Sequence, residues 1–360
     1  MSNLPDTMCG VVLTGHGGPD CLEWRTDLPV PVPGTGEVLI KVGAAAVNNT
    51  DINTRIGWYS KSVRGDTAAG AAGGYGDKAD EDGSWSGEAL RFPRIQGADC
   101  CGTIVAVGKG VPESRLGEHI LVRSMQVPKL VHSHLPLVTF GSEYDGGFSE
   151  YSVTFAEDAI KVDSNLSDVE LASFPCAYST AEGMIQRCDL KAERVLITGA
   201  SGGVGSAAIQ LAKRRGAHVT AMTSPSKADD LRGLGADEIL ERYDVVQAKN
   251  FDVVLDPVGG PKWPQLLEGL CDGGRYAVAG AIAGPIVELD LRTLYLKDLS
   301  FFGCTRQDPS VFTDLVSYIE DGEIKPAVAK TYPLKCLHEA QEAFLSKKYV
   351  GKIGIVVGEA

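Results

Sequence analysis

The residues with the clearest chemical capacity form the run Val195-Leu196-Ile197-Thr198-Gly199-Ala200-Ser201-Gly202-Gly203-Val204-Gly205, followed by Ser206-Ala207-Ala208-Ile209-Gln210-Leu211-Ala212. An apolar strand enters a glycine-rich turn and leaves as a helix. Backbone N–H groups and the positive end of the helix therefore face whatever lies over the turn, and a pyrophosphate suits that geometry. Gly202 lets the backbone approach the phosphates and Gly205 permits close packing of helix on strand. Ala200 stands where a strict G-x-G-x-x-G would place its first glycine. Ala200, Ser201, Gly202, Gly203, Val204 and Gly205 are thus candidate dinucleotide-binding residues. The competing reading, a tight turn with no ligand, loses to the strand, helix and alternating context around it.

The end of the next strand discriminates between dinucleotides. An NAD site places Asp or Glu there, accepting hydrogen bonds from the adenosine ribose. Here the chain has Thr223-Ser224-Pro225-Ser226-Lys227, with no acid before Asp229. Hydroxyls and an ammonium suit a 2′-phosphate, so NADPH is the expected cofactor, with Thr223, Ser224 and Lys227 as its neighbours and Arg242 as a second cation. A helix cap by Ser224 or Ser226 beside a solvated Lys227 is compatible with the same residues.

The elements that must position these groups fall into two patterns. From Val11 to about Val162, short apolar segments such as 37–42, 102–107 and 118–122 are broken by Gly, Pro and Asp, which predicts β structure. From about Ser167 the pattern becomes helical at 168–174 and 177–187, and then strand and helix alternate: 194–198, 206–215, 218–222, 228–234, 251–255, 264–271 and 276–279. Such alternation predicts a doubly wound parallel sheet. A helix over 309–320 and a strand over 353–357 are expected to return to the first domain. The segment 60–90, rich in Gly, Ala, Asp and Ser, reads as a surface excursion, a poorly ordered loop or a lid; Trp58, Tyr59, Tyr75 and Trp85 supply aromatic surface for the last.

Composition sets the outer limits. With 360 residues, two domains are expected. Apolar and charged residues at 44% and 22% match a globular chain that folds unaided. The net charge of −13, without a basic run, argues against nucleic-acid and anionic-membrane partners. The longest apolar stretch, 276–287, is far below the ~20 residues of a spanning helix. The first ten residues carry Asp6 and no lysine or arginine, so the cytoplasm is the expected address. Nine scattered cysteines with no Cys-x-x-Cys predict reduced thiols rather than disulfides or a zinc ribbon.

These residues, with 14–19 (TGHGGP), Asn48-Asn49-Thr50-Asp51, Gln96-Gly97-Ala98-Asp99-Cys100-Cys101-Gly102, Gly146-Gly147-Phe148-Ser149-Glu150-Tyr151, 252–260 (DVVLDPVGG) and Gly351-Lys352-Ile353, resemble the medium-chain dehydrogenase/reductase superfamily, and within it the zinc-free quinone oxidoreductase-like branch. The likeness runs over nearly the whole chain. It implies an α/β architecture: a Rossmann domain over 163–305, inserted in a mainly-β GroES-like catalytic domain of residues 1–162 continued by 306–360. It further implies a cofactor in the cleft between them and a homodimer or homotetramer. Zinc-dependent relatives carry a cysteine three residues before Asp51 and Gly-His-Glu where this chain has Gly97-Ala98-Asp99. Only their later cysteine survives, as Cys176, so no metal is expected. The four-cysteine structural lobe is absent too. His132 and His134 would share one face of a strand, and without a third ligand they read as ordinary loop residues.

Without zinc, alcohol oxidation lacks its Lewis acid, whereas reduction of an activated acceptor needs only a donor for the developing oxyanion. The resemblance to enoyl-thioester reductases makes Tyr59 that candidate donor, with aromatic packing as the alternative role. Asn48 is expected to orient the nicotinamide ribose or the substrate carbonyl, or else to cap the turn at Asp51. The resemblance also implies Thr180, Val258, Gly280, Ala281, Ile282, Phe302, Gly303 and Cys304 as cofactor neighbours. The expected activity is NADPH-dependent hydride transfer to a small-molecule quinone or α,β-unsaturated carbonyl. The competing readings are a 2-enoyl-thioester reductase, an alcohol dehydrogenase that still finds a metal, and an NADPH-binding protein without turnover.

Overall fold

The computed structural model describes residues 4–126 and 138–358. Six strands form one parallel sheet in the spatial order Glu238–Glu241, His218–Thr223, Arg194–Ile197, Phe251–Asp256, Leu270–Val278 and Ser300–Gly303. In order along the chain this is 3-2-1-4-5-6, the doubly wound arrangement, whose direction reverses between the first and fourth strands. Alternate residues on each strand serve opposite faces. Val195, Ile197, Val219, Ala221, Val253 and Leu255 enter one core with the helices Pro175–Arg187 and Gly203–Arg214. Leu196, Met222, Val254 and Tyr276 enter another with Trp263, Leu266 and Leu267 of the helix Trp263–Gly269. Cover on both faces is why these strands read as unbroken apolar runs.

The second large sheet is mixed, in the order Ala159–Lys161, His119–Val122, Cys101–Val107, Glu37–Val47, Lys352–Val356 and Val328–Pro333, with Tyr151–Phe155 also pairing with Glu37–Val47. Lys352–Val356 lies antiparallel to Glu37–Val47, with Ile353 opposite Val47. A strand from the last tenth of the sequence is thereby paired with one from its first 50 residues, while the first strand, Thr7–Leu13, lies in a separate three-stranded sheet.

The helix Pro309–Glu320 has the bounds expected from sequence but a different home. Asp308 caps it by accepting the Ser310 N–H, and Val311, Phe312, Leu315, Val316 and Ile319 are buried with Tyr178, Met184 and Ile185 of the helix Pro175–Arg187. Its apolar stripe finds its complement on that helix. Glu238–Glu241, which sequence reasoning passed over, is an edge strand with exposed glutamates at both ends and therefore has no continuous apolar signal.

Residues 60–90 form an ordered excursion with short helical pieces at Thr67–Gly70 and Gly76–Ala79. Asp66 caps the first by accepting the Ala69 N–H at 2.7 Å, and the Tyr75 hydroxyl donates to the Asp66 carbonyl at 2.6 Å. The Thr67 N–H donates to the Ile282 carbonyl at 3.1 Å, joining the excursion to the loop that follows the fifth parallel strand. Among the described residues, no helix is long and apolar enough to cross a membrane.

Candidate active site

The helix Asn49–Arg55 starts at Asn48, whose backbone N–H donates to Asp51 Oδ2 at 2.7 Å, while Asp51 Oδ1 accepts the Ala98 N–H at 3.1 Å. This turn lies inside the protein, and burial pushes the Asp51 carboxyl up to about 7 even though two N–H groups favour its charge. Three further polar side chains converge beside it. Asn48 Nδ2 donates to Asp99 Oδ2 at 2.7 Å, Lys352 Nζ donates to Asp99 Oδ2 at 2.7 Å and also to Asn48 Oδ1, and Asp99 Oδ1 accepts the Cys176 N–H at 2.7 Å. Lys352 and Asp99 are buried, so each charge depends on the other.

Asn48 thus has its amide committed inward to Lys352 and Asp99, and its own N–H to Asp51. This geometry gives Asn48 the start of the turn at Asp51 and a place beside the Lys352–Asp99 pair. Tyr59 is half-buried, its hydroxyl donating to Thr50 Oγ1 at 3.1 Å and its ring set edge-on to Trp85 with centroids 4.6 Å apart. Burial raises its phenol pKa further above the ordinary value, opposed by hydrogen bonding with Thr50 and Asn53, so it carries its proton at neutral pH. The Cys176 thiol is also pushed up by burial, with Asp99 adding to the effect. Thr180 Oγ1 donates to the Cys176 carbonyl at 2.7 Å, within the same helix.

The glycine turn leaves the first parallel strand at the point where strand order reverses. A Cβ at Gly205 would lie 2.4 Å from the Gly199 carbonyl oxygen, so no larger residue fits, whereas Gly202 is exposed and its nearest obstruction would be 3.4 Å away. Ala200 to Gly205, Val258, Gly280 to Ile282 and Phe302 to Cys304 lie at or just beyond the carboxyl ends of strands and are brought to one edge of the sheet. Asp256 is spent on holding that edge: its carboxylate accepts from Thr198 Oγ1, from the Val258 and Gly259 N–H groups at 2.8 and 3.1 Å, and from the Tyr276 hydroxyl at 2.6 Å.

At the second strand, Thr223 is buried with its hydroxyl unpartnered, and Ser224 Oγ lies 3.4 Å from Ser226 Oγ. Lys227 Nζ reaches back to the turn, donating to Ser201 Oγ at 3.2 Å and to the carbonyls of Lys347 and Tyr349 at 2.6 and 2.9 Å. Burial lowers its pKa and the nearby Arg242 guanidinium adds to the effect. Arg242 itself is exposed, its N–H donating to the Thr223 carbonyl at 3.0 Å.

Lys352 is the residue that sequence reasoning missed. The Gly351 N–H donates to the Ser201 carbonyl at 2.9 Å, and the Lys352 stem passes so close to the turn that a Cβ at Gly203 would meet its Cδ at 2.8 Å. One side chain therefore runs from the phosphate turn to the Asn48–Asp99 cluster. A signal was present: a lysine opening the buried strand Lys352–Val356 requires a buried anion. His132 and His134 lie outside the described residues.

Fold and site together define an oxidoreductase built around a nicotinamide cofactor. The alcohol dehydrogenase GroES-like domain model matches residues 34–164 and the zinc-binding dehydrogenase model matches residues 203–321. Among solved structures, a provisionally assigned alcohol dehydrogenase from Sinorhizobium meliloti 1021 superposes with a TM-score of 0.88 at 43% identity, covering 99% of each chain. Among characterised relatives, the acryloyl-coenzyme A reductase of Metallosphaera sedula is 29% identical over 96% of this chain and 99% of its own. The quinone oxidoreductase of Homo sapiens is 27% identical over 91% of this chain and 90% of its own. The chain belongs to the medium-chain dehydrogenase/reductase superfamily.

Proposed function

We propose that the protein is an NADPH-dependent reductase of quinones or α,β-unsaturated carbonyl compounds that works without zinc. The observation carrying this reading is the Lys352 ammonium held between Asn48 and Asp99. The positions corresponding to zinc ligands in metal-dependent relatives hold Asn48, Ala98 and Cys176: an amide already bonded to a buried cation, a methyl group and a single thiol. A catalytic zinc takes about three protein ligands, and this set does not fit one. An alcohol dehydrogenase, the class to which several similar solved structures are assigned, remains the competing reading and would need its metal held by other ligands.

The turn does fit a dinucleotide. Ser201, Gly202, Gly203 and Val204 would receive the pyrophosphate at the start of the helix Gly203–Arg214, with Val258, Gly280 to Ile282 and Phe302 to Cys304 along the cleft. The unpartnered Thr223 hydroxyl, Ser224, and the Lys227 and Arg242 cations support a 2′-phosphate over a bare ribose. NADPH, when bound, supplies the hydride. Tyr59, protonated, would turn its O–H from Thr50 Oγ1 to the acceptor oxygen and donate a hydrogen bond to it as negative charge develops. Trp58 and Trp85 meet the Tyr59 ring edge-on and give the site its aromatic surface.

An enoyl-thioester acceptor is the second reading, favoured by the acryloyl-coenzyme A relative and by the exposed Lys61 and Arg64 near the excursion. The exposed edge strand Ser300–Gly303, with Leu291, Tyr295, Leu296 and Phe301 also exposed, supports a homodimer, or a homotetramer built from it. Nine free thiols support a cytoplasmic address. The test is a titration of metal-free protein with NADPH and NADH, followed by 1,4-benzoquinone, an enone and an enoyl thioester. Tight NADPH binding with oxidation on adding one of these acceptors is the expected result. Equal affinity for NADH would overturn the 2′-phosphate assignment, and activity appearing only after zinc is added would overturn the metal-free mechanism.

A further inference from the structure

We propose that Cys101, His119 and Asp168 form a binding site for one divalent transition cation of the zinc type, separate from the cofactor cleft. Cys101 opens the strand Cys101–Val107 and His119 opens the neighbouring strand His119–Val122. Thr103 pairs with His119 and Cys101 with Leu121, so Cys101 and His119 are diagonal neighbours on one face of the sheet. The third group comes from a different layer: Asp168 is the first residue of the helix Asp168–Leu171, which packs on Cys101–Val107 and the adjacent Glu37–Val47. Gly43 leaves the space for it, since a Cβ there would fall 1.8 Å from Asp168 Oδ2.

The thiol, the imidazole and the carboxylate each present one ligand atom, and all three atoms lie within 4.8 Å of one another. His119 Nε2 is 3.2 Å from Cys101 Sγ and 2.9 Å from Asp168 Oδ1. A single ring nitrogen carries either one proton or one lone pair, so it can satisfy one of these neighbours and not both. A cation at their centre satisfies all three. Zinc bonds of about 2.0–2.3 Å to N, O and S set tetrahedral ligand atoms about 3.3–3.7 Å apart, within the range these atoms span. A buried thiolate selects for zinc or cobalt over magnesium or calcium. Cys101 is buried while His119 and Asp168 are half-exposed, which gives an entry path and leaves the fourth position to water. The three residues share no hydrogen bond with Asn48, Cys176 or Lys352. Bound there, the ion would bolt the sheet of the first domain to the first helix beyond it.

The test uses the full chain, stripped with a chelator and kept reduced with a phosphine, titrated with Co²⁺ and then with Zn²⁺. Expected are one Co²⁺ per chain, a thiolate-to-cobalt charge-transfer band that Zn²⁺ removes, and a thermal midpoint raised by the metal. Cys101→Ser should abolish the band and His119→Gln should weaken binding on the order of 100-fold, while Cys176→Ser should leave both unchanged. If Cys101→Ser does not fold, His119→Gln and Asp168→Asn, altered at half-exposed positions and checked by circular dichroism, carry the test. No stoichiometric binding, a band that survives these variants, or a band lost in Cys176→Ser would overturn the proposal. NADPH affinity of the metal-free chain is independent of all these outcomes, so failure here leaves the reductase reading untouched.

Discussion

Lys352 Nζ lies 2.7 Å from Asp99 Oδ2, with the two side chains 2% and 0% exposed. Removing either partner strands the other charge in the interior, at about 3–5 kcal/mol. Lys352→Met and Asp99→Asn should each lower the stability measured by urea unfolding by that order. The double variant Lys352→Met/Asp99→Asn should cost clearly less than the sum of the single changes; strict additivity would mean that the two groups do not depend on one another.

Tyr59→Phe keeps the ring against Trp85 and removes the hydroxyl. A donor to a developing oxyanion is worth about 100-fold in turnover, so kcat should fall by that order with the NADPH dissociation constant nearly unchanged. Loss of both in equal measure would assign Tyr59 to packing instead.

At the adenosine end, Lys227→Met withdraws one ammonium from Ser201 and from the proposed 2′-phosphate position. A charge-assisted hydrogen bond predicts a rise of about 10- to 100-fold in the NADPH dissociation constant, with NADH little affected. Fluorescence titration of both nucleotides checks this, and parallel losses would place Lys227 in a structural role through its bonds to the Lys347 and Tyr349 carbonyls.

Burial sets the protonation of Asp51, whose carboxyl is pushed up to about 7. The folded protein then holds this proton to higher pH than the unfolded chain, where release occurs near 4. The stabilising contribution is intact below about 4 and is lost as pH rises through about 7, amounting to about 2–4 kcal/mol. Asp51→Asn cannot titrate, so the stability of the natural protein relative to this variant should decline over that window. Unfolding curves of the two proteins at matched pH values measure it, and a constant difference would place the Asp51 pKa near its ordinary value.

Much of the parallel sheet was legible because its strands are buried on both faces and announce themselves as apolar runs. The helix after the glycine turn begins at Gly203 rather than at Ser206, since the glycines themselves make its first turn. Side-chain clusters across layers were not legible. Asp99 and Asn48 lie 253 and 304 residues from Lys352 along the chain, and no local period records such a pairing. The same holds for His119 and Asp168, separated by 49 residues and joined only because Gly43 leaves a gap between helix and sheet. The destination of the helix Pro309–Glu320 was likewise hidden: amphipathicity tells that a face is buried but not which neighbour buries it.

The Gly351 N–H on the Ser201 carbonyl has a consequence during synthesis. A chain still emerging from the ribosome can possess the complete glycine turn and the Asn48 cap while its last strand remains in the exit tunnel. In that interval Asp99 has no cation beside it and the turn has no strand against its flank. The flank of the glycine turn and the neutralisation of Asp99 are thereby completed together, by two consecutive residues, Gly351 and Lys352.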